Sequence, residues 1–106
     1  MDEQPNLDYF NQIADGDEVI INTLTSILIN EFPEQLDSYN KCISDLNYEE
    51  AAEALHKLKH KIGLLGLENG YKIANDYEHN LREHNLQNKT EFEAILKNIT
   101  NFIKKL

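Results

Sequence analysis

Apolar residues recur every three or four positions along nearly the whole chain, and this spacing is what most limits its fold. The clearest stretch is the last, where Phe92, Ile95, Leu96, Ile99, Phe102, Ile103 and Leu106 fall on one face of a helix. Strand-like alternation is absent, and four glycines and two prolines are the only such breakers in 106 residues. A chain of this length is expected to form a single domain over 1–106 and to bury about two-thirds of its unfolded surface. The expected fold class is all-α.

Leu7, Phe10 and Ile13 predict a short first helix ended by Asp15-Gly16. A long helix follows from about Asp17 to about Asp45, with Ile20, Leu24, Ile27, Leu28, Tyr39, Ile43 and Leu46 on or near one face. Pro33 removes a backbone donor inside it and crowds the preceding turn, which predicts a bend rather than a break. Asn47, with Glu50 three residues on, caps a helix from Tyr48 to about Leu65, and Gly66 stops it. A fourth segment, about Glu68 to Glu83, carries Ile73, Ala74, Tyr77 and Leu81. After a polar loop the last helix begins near Thr90, and Lys104 and Lys105 complement its dipole. Four substantial helices with short connections pack most simply as an antiparallel four-helix bundle, with the short N-terminal helix closing one end.

The net charge is -9 and unevenly spread. Residues 1–55 hold 13 acidic residues against Lys41 alone, whereas residues 56–106 hold nine basic against six acidic ones. An acidic total disfavours a phosphate backbone as partner, so no nucleic acid is expected. A basic region on an acidic body suits a small anionic site. No apolar run approaches the roughly 20 residues of a membrane span, and the acidic start from Met1 to Pro5 is no secretory signal. A cytoplasmic protein is therefore expected, and Met1 with the charged C-terminal end points to a complete small one. Cys42 stands alone, which excludes an internal disulfide; its spacing from Tyr39 and Leu46 reads as a small buried hydrophobe.

The run from His56 to Gly66 gathers two histidines, three lysines and two glycines within a helix. Leu55, Leu58, Ile62 and Leu65 define its buried stripe, and His56 points about 130° away from that stripe's centre. Ala52, Lys59, His60 and Gly63 share the His56 face at i−4, i+3, i+4 and i+7. Ala52 and Gly63 would leave room for another protein. A helical glycine costs about 1 kcal/mol, so Gly63 implies close approach of a neighbouring helix or a partner. The chemistry this arrangement fits is phosphoryl transfer: imidazole is a good nucleophile near neutral pH, and a nearby lysine offsets phosphoryl charge. A carboxylate at the other ring nitrogen would fix the tautomer, and Glu78, beside Tyr77, is the candidate.

At these residues the chain resembles the histidine-containing phosphotransfer (HPt) domains, whose signature is His-x-hydrophobic-Lys-Gly, one or two small residues, then hydrophobic-Gly. His56, Leu58, Lys59, Gly63, Leu65 and Gly66 occupy matching positions, and the resemblance extends from the long second helix to the last. It implies that His56 is the phospho-acceptor, that Lys59 assists it, and that Glu78 bonds its second nitrogen. Ala52, Lys57, His60, Gly63 and Asn75 would form the docking rim. It implies response-regulator receiver domains, or a hybrid sensor histidine kinase, as partners of a monomeric relay protein. Such a relay is not an enzyme with ATP-dependent kinase activity and holds no cofactor; Mg²⁺ belongs to the partner receiver. Two positions depart from the pattern: His60 replaces a glycine, and Ile62 stands where many members have Ser or Ala. His60 would restrict access, hydrogen-bond the phosphoryl group, or accept phosphate itself.

Other readings compete. One is a scaffold without chemistry, and another a degenerate module that docks without transfer; Ile29, Phe32 and Leu36 could serve docking, with core packing expected for Phe32 and Leu36. Metal binding is the third, because His56 and His60 at i,i+4 can share an ion and Glu53-x-x-His56 is half of a di-iron motif. No second such motif exists and three lysines repel a cation, so no metal site is expected.

Overall fold

The computed structural model describes residues 3–106; Met1 and Asp2, part of the acidic start, lie outside the described residues. Its elements are α1 (Asp8–Ala14), α2 (Glu18–Ser44), α3 (Tyr48–Leu64), α4 (Glu68–Arg82) and α5 (Lys89–Lys104). Among the described residues there is no strand, and no helix is long and apolar enough to cross a membrane.

Local chemistry explains most boundaries. Asp15 and Gly16 take left-handed conformations that end α1, and the Asp17 carboxylate then accepts the Val19 amide at 2.9 Å to start α2. Helix α2 runs uninterrupted through Pro33, which sits on its exposed side where water can reach the orphaned carbonyl. At about 1.5 Å per residue, its 27 residues span most of the molecule's 44 Å length. Asn47 caps α3 through the Glu50 amide at 3.3 Å.

Helices α2, α3 and α4 all close through one motif, in which the residue after the cap turns left-handed and the next amide reaches back to the last turn. Asn47 N bonds Cys42 O at 2.8 Å, Leu67 N bonds Ile62 O at 3.3 Å and Asn85 N bonds Asn80 O at 2.8 Å. The left-handed residues are Leu46, Gly66 and His84. Only Gly66 is the residue this backbone prefers, and a Cβ there would also stand 2.7 Å from Asn6 Nδ2. Leu46 corrects the sequence reading: the turn swings it off the core face and leaves it 70% exposed.

Helix α3 packs against both α2 and α4, and α5 closes against α4 and α2. Leu55, Leu58, Ile62 and Leu65 are fully buried, as the spacing requires. Gly70 lets α4 approach α3: a Cβ there would meet Ile62 Cγ2 at 3.2 Å. Tyr39, Tyr77 and Phe92 join α2, α4 and α5 in an aromatic cluster, with Tyr39 edge-on to both other rings and Tyr77 tilted against Phe92. The Tyr39 hydroxyl donates to Glu93 Oε2 at 3.0 Å and lies 2.7 Å from the Tyr77 hydroxyl, which must then donate to it. Burial raises both phenols, Tyr77 to about 12, so neither ionises near neutrality.

Phe32 is buried and Leu36 packs on the core, as expected, whereas Ile29 is exposed. Ile20 and Ile27 of α2 also remain exposed, because α2 has its main neighbour, α3, on one side only, and Ile13 of α1 is exposed as well. Cys42 is half-buried against the core, and burial pushes its thiol up and away from reactivity. The segment before α1 folds back over the α3–α4 turn. Asn6 N donates to Leu65 O at 3.0 Å, and the Glu3 carboxylate caps α4 by accepting the amides of Asn69 at 2.9 Å and Gly70 at 3.0 Å. Leu67, the residue preceding α4, has no side chain able to do this.

Candidate functional site

The two helices that pack most closely, α3 and α4, carry the site between them. His56 projects from the middle of α3 with its side chain 46% exposed, while Asn75, Glu78 and Arg82 occupy one edge of α4 at helical spacing. Fully buried Ala52 and Ala74 keep the side chains between the helix backbones small.

His56 Nδ1 lies 3.1 Å from both carboxylate oxygens of Glu78. A carboxylate only accepts, so Nδ1 carries the hydrogen and the neutral ring's lone pair belongs to Nε2. That nitrogen faces His60, whose Nε2 is 3.3 Å away across an edge-on ring contact. His60 must therefore donate through Nε2–H. The anchored nitrogen points into the protein and the basic one points out.

Glu78 is held from three sides. Lys59 Nζ pairs with Oε1 at 2.9 Å, and Arg82 reaches Oε2 at 3.3 Å beside the imidazole. Burial alone raises the Glu78 carboxyl, but the hydrogen bonds from Lys59 and His56, with Arg82, outweigh it and hold the group below its ordinary value. It is an anion at neutral pH. Arg82, the only arginine, also contacts Glu53 at 3.3 Å and Glu49 at 3.9 Å, and its hydrogen bond to Glu78 raises its own pKa. The sequence reading missed Arg82, although its i,i+4 spacing from Glu78 was a visible signal.

Lys59 is not the solvent-facing cation that the helix face implied. Its side chain is 8% exposed and turned inward, bonded to Glu78 and, at 3.1 Å, to Asn75 Oδ1, with the Tyr71 ring 5.6 Å away. The reason is that α3 is covered on two sides, so its buried arc is wider than one stripe. The same coverage removes Ala52 from the expected docking rim, because it has no exposed surface. Gly63 answers to a neighbouring helix: a Cβ there would meet Tyr71 Cδ2 of α4 at 3.2 Å. Lys61 pairs with Glu31 at 2.8 Å, so of the three lysines only Lys57 stays fully displayed, beside the acidic groove between α2 and α3. The cationic run of the sequence is thus largely neutralised in the fold.

These contacts leave one basic imidazole nitrogen directed outward, on a ring whose other nitrogen is fixed by a buried anion. Such a nitrogen can attack an electrophile, accept a proton or bind a metal ion. No known protein family, curated protein or solved structure matches the chain.

Proposed function

We propose that the chain is a histidine phosphotransfer protein that relays a phosphoryl group between aspartates of response-regulator receiver domains. The observation that carries this reading is the fixed His56 ring, with Nδ1–H on Glu78 and a basic Nε2 turned outward. In the proposed step His56 Nε2 attacks the phosphorus of an aspartyl phosphate in line. The N–P bond forms as the P–O bond to aspartate breaks, and the carboxylate leaves with the electron pair. Glu78 offsets the positive charge that develops on the imidazole. Lys59 and Arg82 act through Glu78 as positioning residues, holding the carboxylate that holds the ring. The exposed His60 ring swings aside on a side-chain timescale to uncover His56 Nε2.

The finer architecture belongs to the same proposal: α2 to α5 as an antiparallel four-helix bundle, with α1 across one end. So do its setting and partners, namely a cytoplasmic monomer that meets receiver domains or a hybrid sensor kinase, the receiver supplying Mg²⁺. A second reading, a module that docks without transferring, draws on the 3.3 Å contact by which His60 covers the acceptor nitrogen.

Incubation with a phosphorylated receiver separates the two. The chain should acquire an acid-labile, base-stable label, lost in His56→Gln and kept in His60→Gln. Full labelling of His56→Gln overturns the acceptor assignment, and an unlabelled wild-type chain favours the docking module.

A further inference from the structure

The His56–His60 contact has a dimension that a simple hydrogen bond does not require. Two imidazole nitrogens bound at about 2.0–2.1 Å to a tetrahedral zinc ion stand about 3.3–3.4 Å apart. The two Nε2 atoms here are 3.3 Å apart, on rings whose centroids lie 4.8 Å from each other. His56 also has the partner that zinc-binding histidines commonly have, a carboxylate on the opposite nitrogen that fixes the tautomer and the orientation of the ring.

The charges around the pair differ from those in the linear sequence. Lys59 is neutralised by Glu78 at 2.9 Å and Lys61 by Glu31 at 2.8 Å, while Arg82 is shared among Glu49, Glu53 and Glu78. Of the lysines near the histidines, only Lys57 is left to oppose a cation, and it is exposed to screening solvent. No group of three or more metal-binding side chains occurs among the described residues, so an ion held here would keep two positions for water or a partner's ligands.

We infer that His56 and His60 form an open two-histidine zinc site whose occupation covers the outward Nε2 of His56. His56 keeps Nδ1–H on Glu78 and contributes its existing lone pair. His60 shifts its hydrogen from Nε2 to Nδ1 through solvent, so a neutral pair binds zinc without net proton release. The chelate stands whatever the site does otherwise. Its competition with phosphoryl transfer rests on the function proposed above.

Calorimetric titration of the metal-free chain with Zn²⁺ should give one ion per chain. Affinity should fall at least about tenfold in His60→Gln and in His56→Gln, since losing even an outer partner of a ligand costs that much. A His79→Gln, His84→Asn double variant should bind as the wild type does. Nitrogen NMR should show His60 changing tautomer on zinc binding while His56 does not. Unchanged affinity in His60→Gln, or loss confined to the His79/His84 variant, overturns the site. With a phosphorylated receiver, zinc should suppress labelling of the wild type, reversibly with a chelator, and spare His60→Gln at the same zinc concentration. Equal suppression in both chains overturns the competition. A chain that binds zinc through both histidines but takes no label supports the chelate and overturns the transfer reading instead.

Discussion

The molecule uses one arrangement twice, with opposite parts buried. In the interior, Tyr39 donates to Glu93 at 3.0 Å, and Glu93 is paired with Lys89 at 3.1 Å. At the candidate site, His56 bonds Glu78 at 3.1 Å, and Glu78 is paired with Lys59 at 2.9 Å. Both are a ring, a glutamate and a lysine in series. Around Glu93 the ring is fully buried and the ion pair is more than a third exposed; around Glu78 the ion pair is nearly buried and the ring is 46% exposed. The same order of groups thus makes a buried support in one place and an exposed imidazole in the other. What differs is which end meets water.

The largest expected effect that tests this contrast is in the ring positions. Tyr39→Ala should cost about 3–5 kcal/mol in chemical denaturation, because it empties the aromatic cluster and leaves the Tyr77 hydroxyl without its acceptor. His56→Gln should change stability by about 0.5 kcal/mol or less while abolishing labelling. Comparable losses in the two variants would break the distinction between support and site.

The glutamates should rank the other way. Glu78→Gln strands the nearly buried Lys59 charge and should cost about 2–3 kcal/mol at neutral pH; Glu93→Gln, at the more exposed pair, should cost about 1 kcal/mol. The first gap depends on pH. Glu78's folded pKa lies below its ordinary 4.5, so its stabilising contribution is complete above that value and disappears as pH falls through the folded pKa. The difference between wild type and Glu78→Gln should therefore narrow along the acid limb of a stability profile. A constant gap would show that ionisation of Glu78 is not what stabilises the site.

A small effect of the opposite sign concerns a helix end. Leu46 occupies a left-handed position that suits glycine, so Leu46→Gly should stabilise the chain by about 1 kcal/mol or less. A loss of that size would mean the exposed leucine contributes contacts that its 70% exposure conceals.

Helix boundaries were legible because their causes are local. Asp17, Asn47 and Gly66 each act on amides or carbonyls within a few residues, and the structure starts or stops helices at those residues. Leu46 was not legible, since an unfavourable left-handed leucine is imposed by the closing turn and not by its own preference. At the site, the exposed face of His56 could be read from the angle between residues. The burial of Lys59 and Ala52 could not, because a single apolar stripe assumes one neighbour and α3 has two. Asn75 reaches Lys59 across the interface between helices, which periodicity within one helix does not encode, whereas the Arg82–Glu78 pair at i,i+4 lies within α4 and could have been read.

The Glu3 cap gives the chain a clasp. The carboxylate that satisfies the first amides of α4 comes from 66 and 67 residues earlier, so the start of this helix depends on the other end of the domain having arrived. Loop closure over that span costs entropy, which the contacts of the N-terminal arm with Leu65 and Gly66 offset in the folded state. The arm thus fastens the helix that carries Glu78 at the end farther from the imidazole and leaves the His56 end of α4 to the contacts with α3.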